Sequence, residues 1–195
     1  MTEKEIRHLS GNIQLRAMPE GEESRIIEGY ALLFNHESKD LFGFTEVIRK
    51  GALKQETVNK CDVVALFDHD RSRGILARST NGSGSLKLTV DEKGLRYEFE
   101  APKTSLGDEM VELLKRGDLR ESSFAFTCKS DTWERKDHDD FTRYITEIEA
   151  IYDVSIVINP AYSGTDVKCR SFELMKEKES GELREYFEQL KKDIK

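Results

Sequence analysis

Three residues of the chain, His69, Ser123 and Asp153, are of the types that together activate a serine hydroxyl. An unperturbed serine hydroxyl is a poor nucleophile at neutral pH, so it needs an imidazole to accept its proton. A carboxylate can then fix the tautomer of the imidazole and stabilise the imidazolium. The chain order His, Ser, Asp is compatible with this chemistry, because the same geometry recurs on unrelated folds in several chain orders.

His69 ends an apolar stretch, "VVALFDHD" at residues 63–70. Successive side chains of a strand alternate faces, so an extended chain would put His69 on the same face as Phe67, at the end of the strand. A ring at that place is half packed and half available, which suits a general base. The place also suits a histidine with no chemical function, so this segment alone does not decide between the two.

Ser123 lies in "LRESSFAFTCK", residues 119–129, where two kinds of side chain alternate. One face is mostly bulky and core-like, with Ser122, Phe124, Phe126 and Cys128, and the other is small or polar, with Glu121, Ser123, Ala125 and Thr127. We expect Ser123 to face a space that a peptide carbonyl could enter. Serines on strands are usually solvated, however, so the pattern is weak evidence by itself.

Asp153 lies in "ITEIEAIYDVSIVINPAY", residues 145–162, opposite a set of apolar side chains at even positions. A carboxylate is costly to bury without a partner, so we expect it to accept a hydrogen bond from a histidine, an arginine or backbone N–H groups. For Glu147 and Glu149 on the same face, we prefer a solvated position.

The composition excludes several classes of protein. Lys and Arg (31) nearly balance Asp and Glu (38), with a net charge of -7, so direct binding of DNA or RNA is not expected. No apolar run approaches the ~20 residues that span a bilayer, and "MTEKEIRHLSGN" lacks the apolar core of a signal peptide. Cys61, Cys128 and Cys169 form no C-x-x-C pair. We expect a cytosolic protein with reduced thiols and no membrane contact, disulfide framework or zinc site.

The elements that must position these residues are mainly short strands. Side chains alternate with period two over residues 25–34, 62–69, 85–92, 94–101, 121–130 and 143–158. Residues from Ser105 to Gly117 have helical spacing, with Ser105 as the expected N-cap and Gly117 as the stop. One α+β domain with a β-barrel or sandwich core is therefore expected.

The C-terminal residues have a different pattern. From Ser180 onward, apolar residues recur at helical intervals among Glu and Lys, at Leu183, Tyr186, Phe187, Leu190 and Ile194. This spacing predicts an amphipathic helix that covers either the main domain or another chain. We expect a main domain at residues 1–172 and a C-terminal helix at 173–195.

Two other functions are consistent with parts of the sequence. A divalent-metal hydrolase could use "DHD", "DHDD" and His36, but adjacent Asp-His-Asp residues on a strand point to alternate faces and cannot all reach one ion. A catalytically inert binding module could use the amphipathic tail for docking.

Four segments taken together resemble a known family in order and spacing. They are "IIEGYALLFN", "DVVALFDHD" with "GILARS", "LLKRGDLRESSFAF" and "ITEIEAIYDVSIVINPAY", within about residues 25–165. The chain resembles the tailed-phage prohead proteases, capsid maturation serine proteases similar in fold to herpesvirus assemblin. The resemblance implies an antiparallel β-barrel core flanked by helices and a serine endopeptidase with neither cofactor nor metal.

The resemblance also implies roles for residues. The family histidine falls on His69 and the nucleophile on Ser123. The acid falls on Asp153, where many family members have Glu and the herpesvirus relatives use a second histidine. Arg78 in "GILARS" resembles an arginine that could orient the cleft or support an oxyanion.

The implied substrate is the scaffold or the scaffolding segment of the major capsid protein. The implied place of action is the inside of the assembling prohead, in the host cytoplasm, with self-processing of the protease. Self-association through the C-terminal helix is a further expectation.

Overall fold

The computed structural model describes residues 3–9, 13–17, 24–41, 43–137 and 140–158, with the short pieces 176–177 and 181–182. The chain divides into two compact units, Met1–Ala161 and Tyr162–Lys195. In the second unit, the two described pieces are helical. The apolar residues of the predicted amphipathic helix, Leu183, Tyr186, Phe187, Leu190 and Ile194, lie outside the described residues.

The described part of the first unit consists mainly of strands, as an α+β class predicts. The strands are β1 (Lys4–Leu9), β2 (Ile13–Leu15), β3 (Ile26–Leu33), β4 (Phe44–Ile48), β5 (Asp62–Phe67), β6 (Ala77–Thr80), β7 (Ser83–Gly84), β8 (Lys87–Val90), β9 (Gly94–Glu100), β10 (Glu121–Asp137) and β11 (Asp140–Val157). The helices are α1 (Gln55–Val58), α2 (Ser105–Arg116) and a 3-10 turn at Arg71–Arg73. All six predicted strands are confirmed, as β3, β5, β8, β9, β10 and β11.

The strands form two sheets. The larger sheet has the order β1-β10-β11-β5-β6-β7, with β4 also paired to β11, and the smaller has the order β2-β3-β9-β8. Strand β11 pairs antiparallel with β10 and presents its other edge to two strands, β4 and then β5, both parallel to it. The core contains apolar side chains of both sheets, including Ile27, Tyr97, Phe124, Phe126 and Val154.

The predicted antiparallel barrel is therefore wrong in two respects. Neither sheet closes on itself among the described residues, and two of the strand pairs are parallel. The physical reason is that a period of two tells which face a side chain occupies but not which strand lies beside it. The observed topology consists of two open sheets, and the larger of them is built around the long antiparallel pair β10–β11.

Helix α2 confirms the predicted helix at residues 105–116, with one change at its start. The N-cap is Thr104 rather than Ser105, because the Thr104 hydroxyl accepts a hydrogen bond from the N–H of Gly107. The helix stops at Gly117, whose φ of 76° is left-handed, as a glycine C-cap allows. Among the described helices, none combines the length and apolar character that crossing a membrane requires.

Candidate active site

His69 lies in a tight turn directly after β5. The strand ends at Phe67, and Asp68 and His69 both have positive φ, 50° and 58°. The N–H of Asp70 donates to the carbonyl of Phe67 at 3.0 Å, which closes the turn. We expected strand alternation to set the face on which the His69 ring lies. That expectation is wrong, because β5 ends two residues before His69 and the left-handed turn sets the direction of the ring instead.

Hydrogen bonds to β11 and to the residue after it fix this turn in place. The N–H of Asp68 donates to the carbonyl of Ile156 at 2.9 Å, and a carboxylate oxygen of Asp68 accepts from the N–H of Ile158 at 3.1 Å. A left-handed conformation at a residue other than glycine costs on the order of 1–3 kcal/mol. The contacts with β11 offset this cost and fix the position of the histidine ring.

The register of three neighbouring strands brings the other two residues to this turn. Strand β10 pairs with β11 so that Ser123 is opposite Ser155, and Ala125 is opposite Asp153. Strand β5 pairs in parallel with the same part of β11, with Phe67 beside Ile156. Residues that are far apart in sequence therefore meet at one end of the larger sheet.

The ring of His69 contacts both other residues. Its Nε2 is 2.5 Å from Oγ of Ser123, and its Nδ1 is 2.5 Å from Oδ1 of Asp153. The side chain of His69 is 15% exposed, that of Asp153 is 1% exposed, and Ser123 is fully buried at 0%. The expected open space beside Ser123 is absent from this structure, because the hydroxyl lies against His69 and the carbonyl oxygen of Arg7.

The carboxylate of Asp153 is fully partnered. Its Oδ1 also accepts from Oγ of Ser155 at 3.1 Å, and its Oδ2 accepts from Nζ of Lys4 at 3.1 Å. Burial acts to raise the pKa of Asp153, but the hydrogen bond and charge of His69, together with the charge of Lys4, lower it below its usual value. Asp153 is thus an ionised partner for the ring at neutral pH.

Ser155 is a fourth polar residue of this group, and no role was predicted for it. Its Oγ lies 3.2 Å from Nδ1 of His69 and 3.1 Å from Oδ1 of Asp153, so it touches both partners of their hydrogen bond. The sequence feature that could have identified Ser155 is its position two residues after Asp153, because residues i and i+2 of a strand share a face.

Strand β1 adds three contacts that were not predicted from the sequence. Lys4 binds Asp153, the carbonyl oxygen of Arg7 lies 2.9 Å from Oγ of Ser123, and His8 is directly opposite Ser123 in the β1–β10 pair. The rings of His8 and His69 meet edge to face, with centroids 6.1 Å apart. The available signal was a histidine and a lysine on the same face of "KEIRHL", within too few residues for a clear strand pattern.

Arg78 does not join this group. Its Nε donates to Oδ1 of Asp62 at 2.7 Å, and a second nitrogen of the guanidinium pairs with the other oxygen of that carboxylate. Asp62 begins β5, whereas His69 follows its end, so the side chain of Arg78 is bound at the opposite end of that strand. In this structure the arginine supports neither the cleft nor an oxyanion at Ser123.

The geometry of the three residues permits nucleophilic catalysis by a hydroxyl. With the Nδ1 proton of His69 directed to Asp153, Nε2 is free to accept the proton of Ser123. No three His, Cys, Asp or Glu side chains of the described ranges come together in a way that could hold a metal ion.

One protein family matches the chain over most of its length. The profile of the caudovirus prohead serine protease family matches residues 12–178. No curated protein matches the chain. A solved structure, the bacteriophage T4 capsid assembly protease gp21, is similar with a TM-score of 0.47 and 13% sequence identity, over 81% of this chain and 98% of that one. Because the family profile spans most of its length, this chain belongs to the caudovirus prohead serine protease family and is a serine protease.

Proposed function

We propose that the protein cleaves the scaffold, or the scaffolding segment of the major capsid protein, inside the assembling prohead in the host cytoplasm. Ser123 is the nucleophile, His69 is the general base and then the general acid, and Asp153 orients the ring. The observation that carries this proposal is that the two ring nitrogens of His69 each lie 2.5 Å from an oxygen, one of Ser123 and one of Asp153.

In the first step, Oγ of Ser123 attacks a peptide carbonyl carbon while its proton moves to Nε2 of His69. The carbonyl π bond opens and its oxygen takes the negative charge. Collapse of this intermediate breaks the C–N bond, and the leaving amine takes the proton from His69. Water then attacks the acyl carbon while His69 accepts a proton from it, the bond between that carbon and Oγ of Ser123 breaks, and Oγ takes the proton back from His69 as the carboxylic acid product leaves.

The hydroxyl of Ser123 has two acceptors but only one hydrogen. It lies 2.5 Å from Nε2 of His69 and 2.9 Å from the carbonyl oxygen of Arg7. Attack requires the hydrogen to lie on the His69 side, because a hydroxyl that donates to Arg7 cannot pass its proton to the base. The Arg7 carbonyl therefore stabilises a resting orientation of the hydroxyl that the reaction must leave.

The membership in a protease family favours this function over an inert capsid-binding module. We also propose that the protease trims itself, and that the C-terminal helix predicted at residues 173–195 mediates self-association. The basis for these two proposals is the family resemblance and the amphipathic spacing of the tail.

The decisive experiment expresses the parent, Ser123→Ala and Ser122→Ala with the cognate capsid protein and follows the masses of all chains. Ser122 is a matched control, because its hydroxyl lies on the opposite face of β10 and bonds to the hydroxyl of Tyr97 at 3.0 Å. Ser122→Ala should lose about 1 kcal/mol of stability and retain cleavage.

Ser123→Ala should lower the cleavage rate by several powers of ten, by analogy with serine triads in general. The capsid protein should keep its precursor mass in that culture alone. Equal capsid masses in the parent and Ser123→Ala cultures would refute the proposed function. The mass of the protease chain in the same samples reports self-processing independently.

A further inference from the structure

Strand β1 is anchored on one face and presents polar groups on the other. On the inner face, Arg7 binds Glu46 through two hydrogen bonds of 2.8 Å, and both side chains are buried. On the outer face, Lys4 and His8 point to the side of the sheet that carries Ser123. The buried contacts of Arg7 thus hold the outer-face residues in register with the active serine.

His8 has a polar atom that nothing in the mechanism above uses. Its Nδ1 is buried and has no hydrogen-bond partner in the part of the chain that the structure describes. A buried polar atom without a partner is uncommon in folded proteins, because no hydrogen bond offsets the free-energy cost of removing the atom from water. Such an atom beside a nucleophile is explained if its partner arrives only with the substrate.

The position of His8 suits a partner that belongs to the substrate and is bonded to Ser123. Its α-carbon is opposite that of Ser123, so their side chains start about 5 Å apart on the same face of the sheet. The ring of His8 contacts His69 edge to face, and His69 in turn contacts the hydroxyl of Ser123. A substrate atom bonded to Oγ of Ser123 would therefore have the ring of His8 close by.

Resting on the proposed function, we infer that His8 is a further catalytic residue, whose ring N–H donates a hydrogen bond to the substrate oxygen as the tetrahedral intermediate forms on Ser123. The Oγ–C bond forms, the carbonyl π electrons move to oxygen, and the Ser123 proton goes to His69. His8 donates a hydrogen bond and transfers no proton. Donors that are fixed before the charge develops are the usual source of such stabilisation.

The charge state of His8 agrees with this role. Burial, and then the neighbouring His69 and Arg7, lower the pKa of His8 to about 4. The ring is therefore neutral at the pH of the cytoplasm and carries one N–H. With so low a pKa, His8 is a weak base and does not compete with His69 for the proton of Ser123, whereas a second imidazolium would oppose protonation of His69.

The test compares His8→Phe with His8→Asn. Phenylalanine keeps a ring packed against His69 but removes the N–H, whereas asparagine loses the ring but can place an N–H near the position of Nδ1. The assay is the rate at which a fluorophosphonate probe modifies Ser123, measured by intact mass, together with the rate of capsid-protein cleavage. Urea unfolding of each variant verifies that it is folded.

We expect His8→Phe to lower both rates about 100-fold, a typical loss for one oxyanion donor, and His8→Asn to recover at least tenfold of that loss. Rates for His8→Phe within threefold of the parent would overturn the inference, because the ring would then matter only for packing. So would rates for His8→Asn no higher than those of His8→Phe.

The proposed function has its own control in the same experiment. Ser123→Ala should not be modified by the probe at residue 123. A parent that the probe modifies at Ser123 but that leaves the capsid protein uncut overturns the proposed substrate, while the His8 comparison is still decided by the probe. A parent that reacts with neither overturns the proposed function and this inference with it.

Discussion

Removal of Arg7 should be among the most damaging single changes in the larger sheet. Its guanidinium donates to both carboxylate oxygens of Glu46 at 2.8 Å and to Glu5 at 2.7 Å. The side chain of Arg7 is 7% exposed and that of Glu46 is 3% exposed. Arg7→Met would keep much of the aliphatic volume but leave both carboxylates with fewer partners in a buried site.

The expected cost follows from the contacts that remain. Breaking one side of a buried ion pair typically costs about 3–5 kcal/mol, because a buried charge is left uncompensated. Glu46 still accepts from Arg143 at 2.9 Å, and Glu5 is also bound by Arg143. We therefore expect a loss near the lower end of that range, about 3 kcal/mol in the free energy of unfolding.

Arg78→Met is the matched control, with the same chemical change at an exposed ion pair. The side chains of Arg78 and Asp62 are 53% and 49% exposed, and such pairs contribute about 0–1 kcal/mol. Urea unfolding of the three proteins measures the midpoint and the slope for each. Equal losses in Arg7→Met and Arg78→Met would refute the view that the buried ion cluster anchors β1. The control should also cleave at the parental rate, since Arg78 lies apart from Ser123.

Two further changes test the surroundings of the site. The pKa of His8 is about 4 in the folded protein, below its ordinary value of 6.5. As pH falls, the unfolded chain therefore takes up this proton at a higher pH than the folded protein does. The parent consequently loses stability as pH falls from 6.5 to 4. After a discount for partial exposure of the ring, His8→Phe should remove about 1–2 kcal/mol of that pH-dependent loss, measured by urea unfolding at pH 7 and pH 4.5. Parallel pH dependences in the two proteins would contradict a neutral His8. Ser155→Ala should lower kcat only about threefold to tenfold, because Ser155 contacts His69 and Asp153 but takes no part in bond formation. A loss as large as that of Ser123→Ala would contradict this subsidiary role.

The sequence predicted the elements that rest on hydrophobic periodicity. Period-two alternation placed Phe124 and Phe126 in the core and put Ser123 on the opposite face of β10, and the structure agrees on both points. Helix α2 and its stop at Gly117 were predicted because the apolar stripe and the terminal glycine are local features, whereas the N-cap was placed one residue too late. The face of Asp153 followed from the alternating pattern of β11.

Features that depend on long-range pairing could not be predicted in this way. Parallel pairing of β4 and β5 with β11 has no signature in any one segment, so an antiparallel barrel was expected instead. The left-handed turn at Asp68 and His69 was missed because neither residue is a glycine. Residues 134–137 are all charged and have no apolar alternation, yet they continue β10 in its pairing with β11.

Strand β1 shows why the surroundings of Ser123 were the hardest part to predict. A strand with one apolar face has a fixed register, because a slip of one residue would exchange its two faces. In "KEIRHL" the inner face instead carries Glu5 and Arg7, which look like solvent-facing charges when only the sequence is considered. Their buried partners, Glu46 and Arg143, lie in β4 and β11 and are identified only by the fold.

Buried ion pairs therefore fix the register of β1, whereas apolar packing fixes the register of the other strands. If β1 slipped by one residue, Arg7 would leave Glu46 and turn toward Ser123, while His8 would turn into the ion cluster. Either change buries a group away from its partner, which costs several kcal/mol, so the observed register is strongly preferred. The same contacts that stabilise the edge of the sheet thus determine which side chains face the hydroxyl of Ser123. Stability of β1 and the chemistry of the site are consequently linked through one buried guanidinium.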